Sequence, residues 1–377
     1  MRQLAFEPIQ TTWGDLVTVK QGKYVAKSDL ASSRSEDTPV PTVGANGVLG
    51  YVPKASYQRR VPLVTCRGSN CGLIQYPLEP VWVNNNAMAL DAGTDEENSF
   101  IYYLALNTDF NDVVSGSAQP QITAGPLKSK AVSVPPREYW RGIAATLGAL
   151  DDKIESNRRA IDILDRIMST RVGNYLAHAD IGQLRALESL GTLVTGKTPS
   201  TKDKGNFGGS IPFVTISELS AHHIVQQSAR TLSNAGAELV KGAVVPAGSI
   251  AISCIATVGE CGIIGTESVT NQQINTLIPN LSVINTGFAY YLFRSLKPEL
   301  LAAGGGGSVY TNVSKGRLSK IKVAVPSLNE QEMLVPAEFM AEMLHLQEES
   351  QQLSTLRDSL LPELLSGCIR AADVEVA

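Results

Sequence analysis

The stretch SGSAQPQITAGPLKSKAVSVPP at residues 115–136 returns, spaced but recognisable, as GGSVYTNVSKGRLSKIKVAVPS at residues 306–327. At an offset of 191, Gly125 meets Gly316, Leu127 meets Leu318, Val132 meets Val323, Val134 meets Val325 and Pro135 meets Pro326. An internal repeat of this kind sets the architecture before any single motif does. Upstream, Phe100-Ile-Tyr-Tyr-Leu104 is echoed by Phe288-Ala-Tyr-Tyr-Leu292, Val83-Asn84-Asn85 by Thr270-Asn271-Gln272, and the run Leu63 to Ile74 by Ile250 to Ile264. The offset drifts, as expected where loops vary in length around persistent buried elements. The echoed segments are short β-type runs punctuated by Gly and Asn. Each half of the chain therefore holds a mixed domain of short strands, turns and one or two helices.

Both domains end at a proline stop and give way to a long helical stretch. In the first, Ile143, Leu147, Leu150, Ile154, Asn157, Ile161, Leu164 and Met168 fall at alternating spacings of four and three, a heptad seam with one polar member, Asn157. The second is rougher: Phe339, Met343, Leu346, Ser350, Leu353, Leu360 and Leu364 keep a similar rhythm, which Arg357 interrupts. Pro336 and Pro362 are expected to bound the second helix. The predicted fold is α+β: repeated mixed α/β domains at 1–136 and 178–327, with helical segments at 137–177 and 328–377. The two helices bury their seams as an antiparallel coiled coil, giving a pseudo-twofold molecule. Packing of each seam on its own domain is the competing reading, and recurrence in both halves weighs against it.

A chain of 377 residues with 43% hydrophobic and 18% charged residues suits two or three folded domains and excludes bulk disorder. The start MRQLAFEPIQTTWGDLVTV lacks a basic segment followed by an apolar run, and no 18-residue apolar stretch occurs, so a cytoplasmic protein off the membrane is expected. The five cysteines, Cys66, Cys71, Cys254, Cys261 and Cys368, show no C-x-x-C spacing and read as idle thiols. The net charge of -4 is uneven: the four segments carry -1, +1, +4 and -8 in order, so the acidity sits in the last 50 residues. It need not face phosphate.

Gly191-Thr-Leu-Val-Thr-Gly196-Lys197-Thr198 fits the phosphate-loop pattern, but the Pro199 to Gly209 run that follows cannot sustain the helix such a loop requires. No nucleophile elbow, zincin motif or Asn-Pro-Pro-Tyr tetrapeptide occurs. His222 and His223 point to opposite sides of an extended segment, a poor arrangement for one metal. Gly304 to Gly307 reads as a flexible turn. What remains is a set of polar loops at matching places in the two halves. Their candidate DNA-contacting residues are Lys23, Lys27, Arg67, Ser69, Asn70 and Gln119 in the first, and Lys197, Thr198, Ser200, Lys202, Lys204, Thr257 and Tyr310 in the second. Lys, Ser, Thr and Asn supply donors for phosphates and base edges, while Gly lets backbone approach DNA. Most such loops are merely solvated surface; their pairing across the repeat is what favours DNA.

Over essentially its whole length the sequence resembles the specificity subunits of type I restriction-modification systems. The resemblance rests on Leu190 to Ser200, Gly209 to Leu219, Asn271-Gln-Gln273, Ser115 to Thr123, the Pro135-Pro136 stop before Leu150 to Glu155, and the ending Leu356 to Gly367. It implies a non-catalytic subunit that reads a bipartite site in double-stranded DNA, one half per target-recognition domain. Its helices would hold two methyltransferase subunits, and translocating restriction subunits would join them. S-adenosylmethionine, ATP and Mg would belong to those partners, with no cofactor in this chain. Two departures stand out: Pro336 lies where the family pattern runs helically, and the first domain lacks a Thr-Pro-Ser counterpart after Gly22-Lys23. A scaffold or decoy of the same build and a nucleotide-binding enzyme stay open as alternatives.

Overall fold

The computed structural model describes residues 5–116, 118–179, 184–303 and 312–371. It forms two compact units, the first from residues 1–156 and 349–377, the second from 157–348.

In the first unit an antiparallel sheet runs in the order Thr18–Gln21, Ala87–Asp91, Leu63–Thr65, Ile74–Gln75. A second sheet has Val40–Gly44 at its centre, antiparallel to Gly47–Val52 and parallel to Trp82–Val83. Ile9–Thr12 pairs with Ala131–Val134, closing the start of the domain onto its end. Helix Asp95–Leu106 begins where the Thr94 side chain accepts from the Glu97 amide, and it buries Phe100, Ile101, Tyr103 and Leu104. These meet Val19, Val64, Met88 and Leu90 from one face of the first sheet. Strand alternation explains the choice: Val64 joins this core, while its neighbour Leu63 faces the smaller core of Val43, Val61 and Val83.

The second unit repeats this build. Its larger sheet has the order Gly191–Thr195, Ile274–Pro279, Ile250–Ser253, Cys261–Ile264, Ile224–Val225. The smaller sheet places Phe207–Val214 parallel to Ser268–Thr270, and Arg185–Ala186 pairs with Lys322–Val323. Helix Thr286–Ser295, capped by the Asn285 side chain accepting from the Phe288 amide, buries Phe288, Tyr290, Tyr291, Leu292 and Phe293.

The helices do not stand as bodies of their own. Helix Arg137–His178 and helix Ala337–Ser366 each divide between the units. In the first unit Ile143 and Leu147 share a core with Leu361, Leu364 and Leu365. There Lys153 Nζ lies 3.2 Å from Glu349, and Arg357 Nη1 donates to Asp151 at 2.6 Å. Rising numbers on one segment meet falling numbers on the other, so they run antiparallel. In the second unit Met168 and Val172 are buried with Met343, and Ile161 and Leu164 pack there with Phe339, Met340 and Leu344. Leu150 and Asn157 are buried, and Ile154, Leu353 and Leu360 half-buried, so every residue of the two expected seams lies on a covered face.

Two expectations change. The second helix continues through Pro362 to Ser366 instead of stopping there. An interior proline costs about 3 kcal/mol, whereas each fully buried leucine contributes roughly 1.5–3 kcal/mol; burial of Leu361, Leu364 and Leu365 outweighs it. Arg357 is no interruption of the seam, because it reaches across to Asp151, which also accepts from the Tyr103 hydroxyl at 2.7 Å. The second unit has a matching cluster: Asp165 accepts from Arg294 and, at 3.1 Å, from the Tyr291 hydroxyl. The histidines part as expected: His222 is exposed, while His223 Nδ1 lies 2.7 Å from the Tyr290 hydroxyl. Burial lowers the His223 pKa, against the pull of Asp165.

Candidate nucleic-acid interface

The repeat is written in the backbone hydrogen bonds at one end of each larger sheet. In the first unit Gly22 N donates to Ala87 O, Lys23 N to Val83 O, Asn84 N to Val43 O, Cys66 N to Asn86 O and Ile122 N to Cys66 O, all within 2.8–3.0 Å. In the second, Gly196 N donates to Ile274 O, Lys197 N to Thr270 O, Asn271 N to Val214 O, Cys254 N to Gln273 O and Val313 N to Cys254 O, again within 2.8–3.0 Å. The ten bonds correspond one to one. They draw the loop after the first strand, the Asn84–Asn86 or Asn271–Gln273 turn, and the loop after the central strand to one end of the sheet.

Close approach at this end demands glycine. A Cβ on Gly22 would lie 2.2 Å from Asn84 O, and one on Gly196 would lie 2.0 Å from Asn271 O. The phosphate-loop pattern is thereby explained without a phosphate. Strand Gly191–Thr195 leads through Gly196 into an irregular loop, no helix follows Lys197, and Gly196 N is already spent on Ile274 O.

The sheet ends bring several candidates together. Lys23 is exposed beside the Asn84–Asn86 turn. Arg67, Ser69 and Asn70 form an exposed loop joined to the segment carrying exposed Gln119, through the Arg67–Gln121 bridge and Gly68 N donating to Pro120 O at 3.0 Å. In the second unit Lys197 is exposed beside the Asn271–Gln273 turn, and the Thr198 hydroxyl donates to Gln272 Oε1. Thr257 is exposed in the loop that Cys254 ties to Gln273. Lys27, Ser200, Lys202 and Lys204 are exposed, but no bond joins them to these ends. Ser200 O accepts from Asn206 Nδ2 at 2.9 Å, and Asn206 O from Ser233 N at 3.0 Å, so that loop leans on helix Asn234–Leu239. Tyr310 and the Gly304–Gly307 turn lie outside the described residues. The candidates missed Asn46, which accepts from Asn70, and the amides Asn84 to Asn86 and Asn271 to Gln273 at the sheet ends; recurrence of the asparagine turn in both halves was the available signal for the latter two.

Gly68 and Ala256 occupy the same place after their central strands, and both are left-handed, at φ +89° and +66°. For alanine that conformation costs about 1–2 kcal/mol, held here by the Ser253 hydroxyl donating to Thr257 O and by the Val313 N bond to Cys254 O. Ala256→Gly is expected to raise stability by about 0.5–1 kcal/mol. Thermal unfolding that moves downward would show that the alanine is not strained.

The thiols at these ends are not activated. Burial pushes the Cys66 thiol up to about 11 and also raises those of Cys71 and Cys254, so they stay protonated. Among the described residues no group of three His, Cys, Asp or Glu is placed to hold a metal ion, and no helix is long and apolar enough to cross a membrane.

Comparison with known proteins agrees with this build. The HindI specificity subunit of a type I restriction enzyme from Haemophilus influenzae is 33% identical over 197 residues, covering 49% of this chain and 41% of that one. The MjaIX specificity subunit from Methanocaldococcus jannaschii is 27% identical over 164 residues, covering 41% and 38%. The match thus spans about two-fifths of the length of these curated relatives. The crystal structure of a type I restriction-modification S subunit from M. genitalium shares the fold, with a TM-score of 0.61 at 15% identity over 96% of both chains. The family model described as "Type I restriction modification DNA specificity domain" matches twice, at residues 10–165 and 183–337. Those two matches cover both repeats, and the chain belongs to that family.

Proposed function

We propose that this chain is the DNA-recognition subunit of a type I restriction-modification complex and reads a bipartite site, one half per unit, without catalysis of its own. The observation that carries this is the pair of sheet ends: identical backbone frameworks holding different side chains, Arg67, Ser69 and Asn70 in one and Ile255, Ala256 and Thr257 in the other. A common frame with divergent tips suits two readings of different base sequences. Lys23 and Lys197, both exposed beside their asparagine turns, suit phosphate contact. Methyltransferase subunits, two per chain, and translocating restriction subunits would supply S-adenosylmethionine, ATP and Mg with the chemistry that uses them.

The test is an exchange. Residues 1–136 are replaced by the corresponding domain of another family member, and the site bound by the complex with methyltransferase subunits is read by selection from randomised duplexes. One half-site is expected to change and the other to persist. A swap that altered both halves, or a complex that formed but bound DNA without sequence preference, would contradict the proposal; the latter is the behaviour of a scaffold or decoy.

A further inference from the structure

We propose that Asn46 and Asn70 act as one reading head for an adenine–thymine pair in the half-site of the first unit; this rests on the recognition reading above. Asn70 Nδ2 donates to Asn46 Oδ1 at 2.7 Å, linking the loop after the central strand to the turn between Val40–Gly44 and Gly47–Val52. Both residues are exposed. The turn is itself tethered, because Gln75 Nε2 donates to Gly44 O at 2.8 Å and to Thr65 Oγ1 at 3.2 Å. Neither amide is therefore a freely rotating surface group.

A carboxamide carries two N–H donors and an oxygen with two acceptor sites, so one mutual bond leaves each amide a donor and an acceptor. That is the complement of adenine in the major groove, which offers N7 as acceptor and N6–H as donor. Guanine offers two acceptors and would set its O6 against the amide oxygen; cytosine offers a single donor. Holding one amide with the other lowers the entropy lost on contact.

The second unit lacks this head on the same frame. Its strand Phe207–Val214, equivalent to Val40–Gly44, runs into Thr215, which closes a capping box with Glu218 at the start of helix Ile216–Ala221. Ser217 stands where Asn46 would, and the loop opposite carries Ala256 and Thr257. An effect of the pair should therefore be confined to one half-site.

Duplexes are selected from a randomised library with the full chain assembled with its methyltransferase partner, as wild type, Asn46→Ala and Asn70→Asp. The wild type should enrich two sequence blocks. Asn46→Ala should lose the adenine preference at one position of one block, with roughly tenfold to hundredfold weaker binding to the parent site. Asn70→Asp can accept but not donate, and should move that position toward cytosine, whose N4 amine donates. Both side chains are exposed, so melting temperatures should stay close to wild type. Unchanged preferences in both variants, with two blocks still enriched, would overturn the reading head, as would changes in both blocks. A wild type that enriches no sequence overturns the recognition reading itself, and this inference with it.

Discussion

Replacing Asp165 with alanine is expected to destabilise the second unit by about 3 kcal/mol, the low end for breaking a largely buried ion pair. The Asp165 side chain is 15% exposed and its partner Arg294 35%, so the guanidinium would be left half-buried without its carboxylate. The Tyr291 hydroxyl would lose its carboxylate acceptor, keeping only the Met343 sulfur at 3.8 Å, and His223 its charged neighbour at 3.7 Å. Asp165→Asn keeps one acceptor for the hydroxyl and should cost less. The tryptophans make the effect separable: Trp13, Trp82 and Trp140 all belong to the first unit. Chemical denaturation followed by tryptophan fluorescence should stay near the wild-type midpoint, while the circular-dichroism curve develops an earlier transition. Coincident curves with an unshifted midpoint would show that the cluster contributes little.

The second large effect is expected from Gly196→Ala. The new methyl would sit 2.0 Å from Asn271 O and 2.5 Å from Thr270 O, both backbone atoms in a bonded sheet end. Relief requires pulling the strand from the asparagine turn, breaking the bonds from Gly196 N and Lys197 N, at about 3 kcal/mol or more. Gly22→Ala meets Asn84 O at 2.2 Å and Val83 O at 2.4 Å and should act alike in the first unit. Each variant should lose sequence preference in one half-site and keep it in the other, as read by selection from randomised duplexes. Retention of both half-sites at wild-type stability would mean that the frame accommodates a side chain, and close approach would cease to explain these glycines.

The architecture was legible because buried positions recur: Leu127 and Leu318, matched across the repeat, are both fully buried, and the paired tyrosines of the two short helices reach carboxylates on the first long helix. The heptad rhythm likewise located a covered face. The site was legible only in part. Lys23, Arg67 and Lys197 belong to the gathered loops, but Lys202 and Lys204 were chosen as donors in a polar loop matched across the repeat, and that matching does not say which loops share a sheet end. That depends on contacts between the two sheets, where Gln75 bonds Gly44 O and Asn70 bonds Asn46. The passage of the helix through Pro362 was hidden for a similar reason, since local preference cannot register the core waiting for three leucines.

The discontinuity of the first unit has a bearing on synthesis. Residues 157–348 form a closed set, whereas the first unit needs Leu361, Leu364 and Leu365 for its core. On the ribosome the domain made first must therefore wait for residues 361–365, and the domain made second can finish before it. A nonsense codon near residue 350 would strike hardest at the far older amino-terminal half. Premature termination would thus leave a chain with one finished unit and one whose hydrophobic face stays open, a form marked for chaperones or proteolysis.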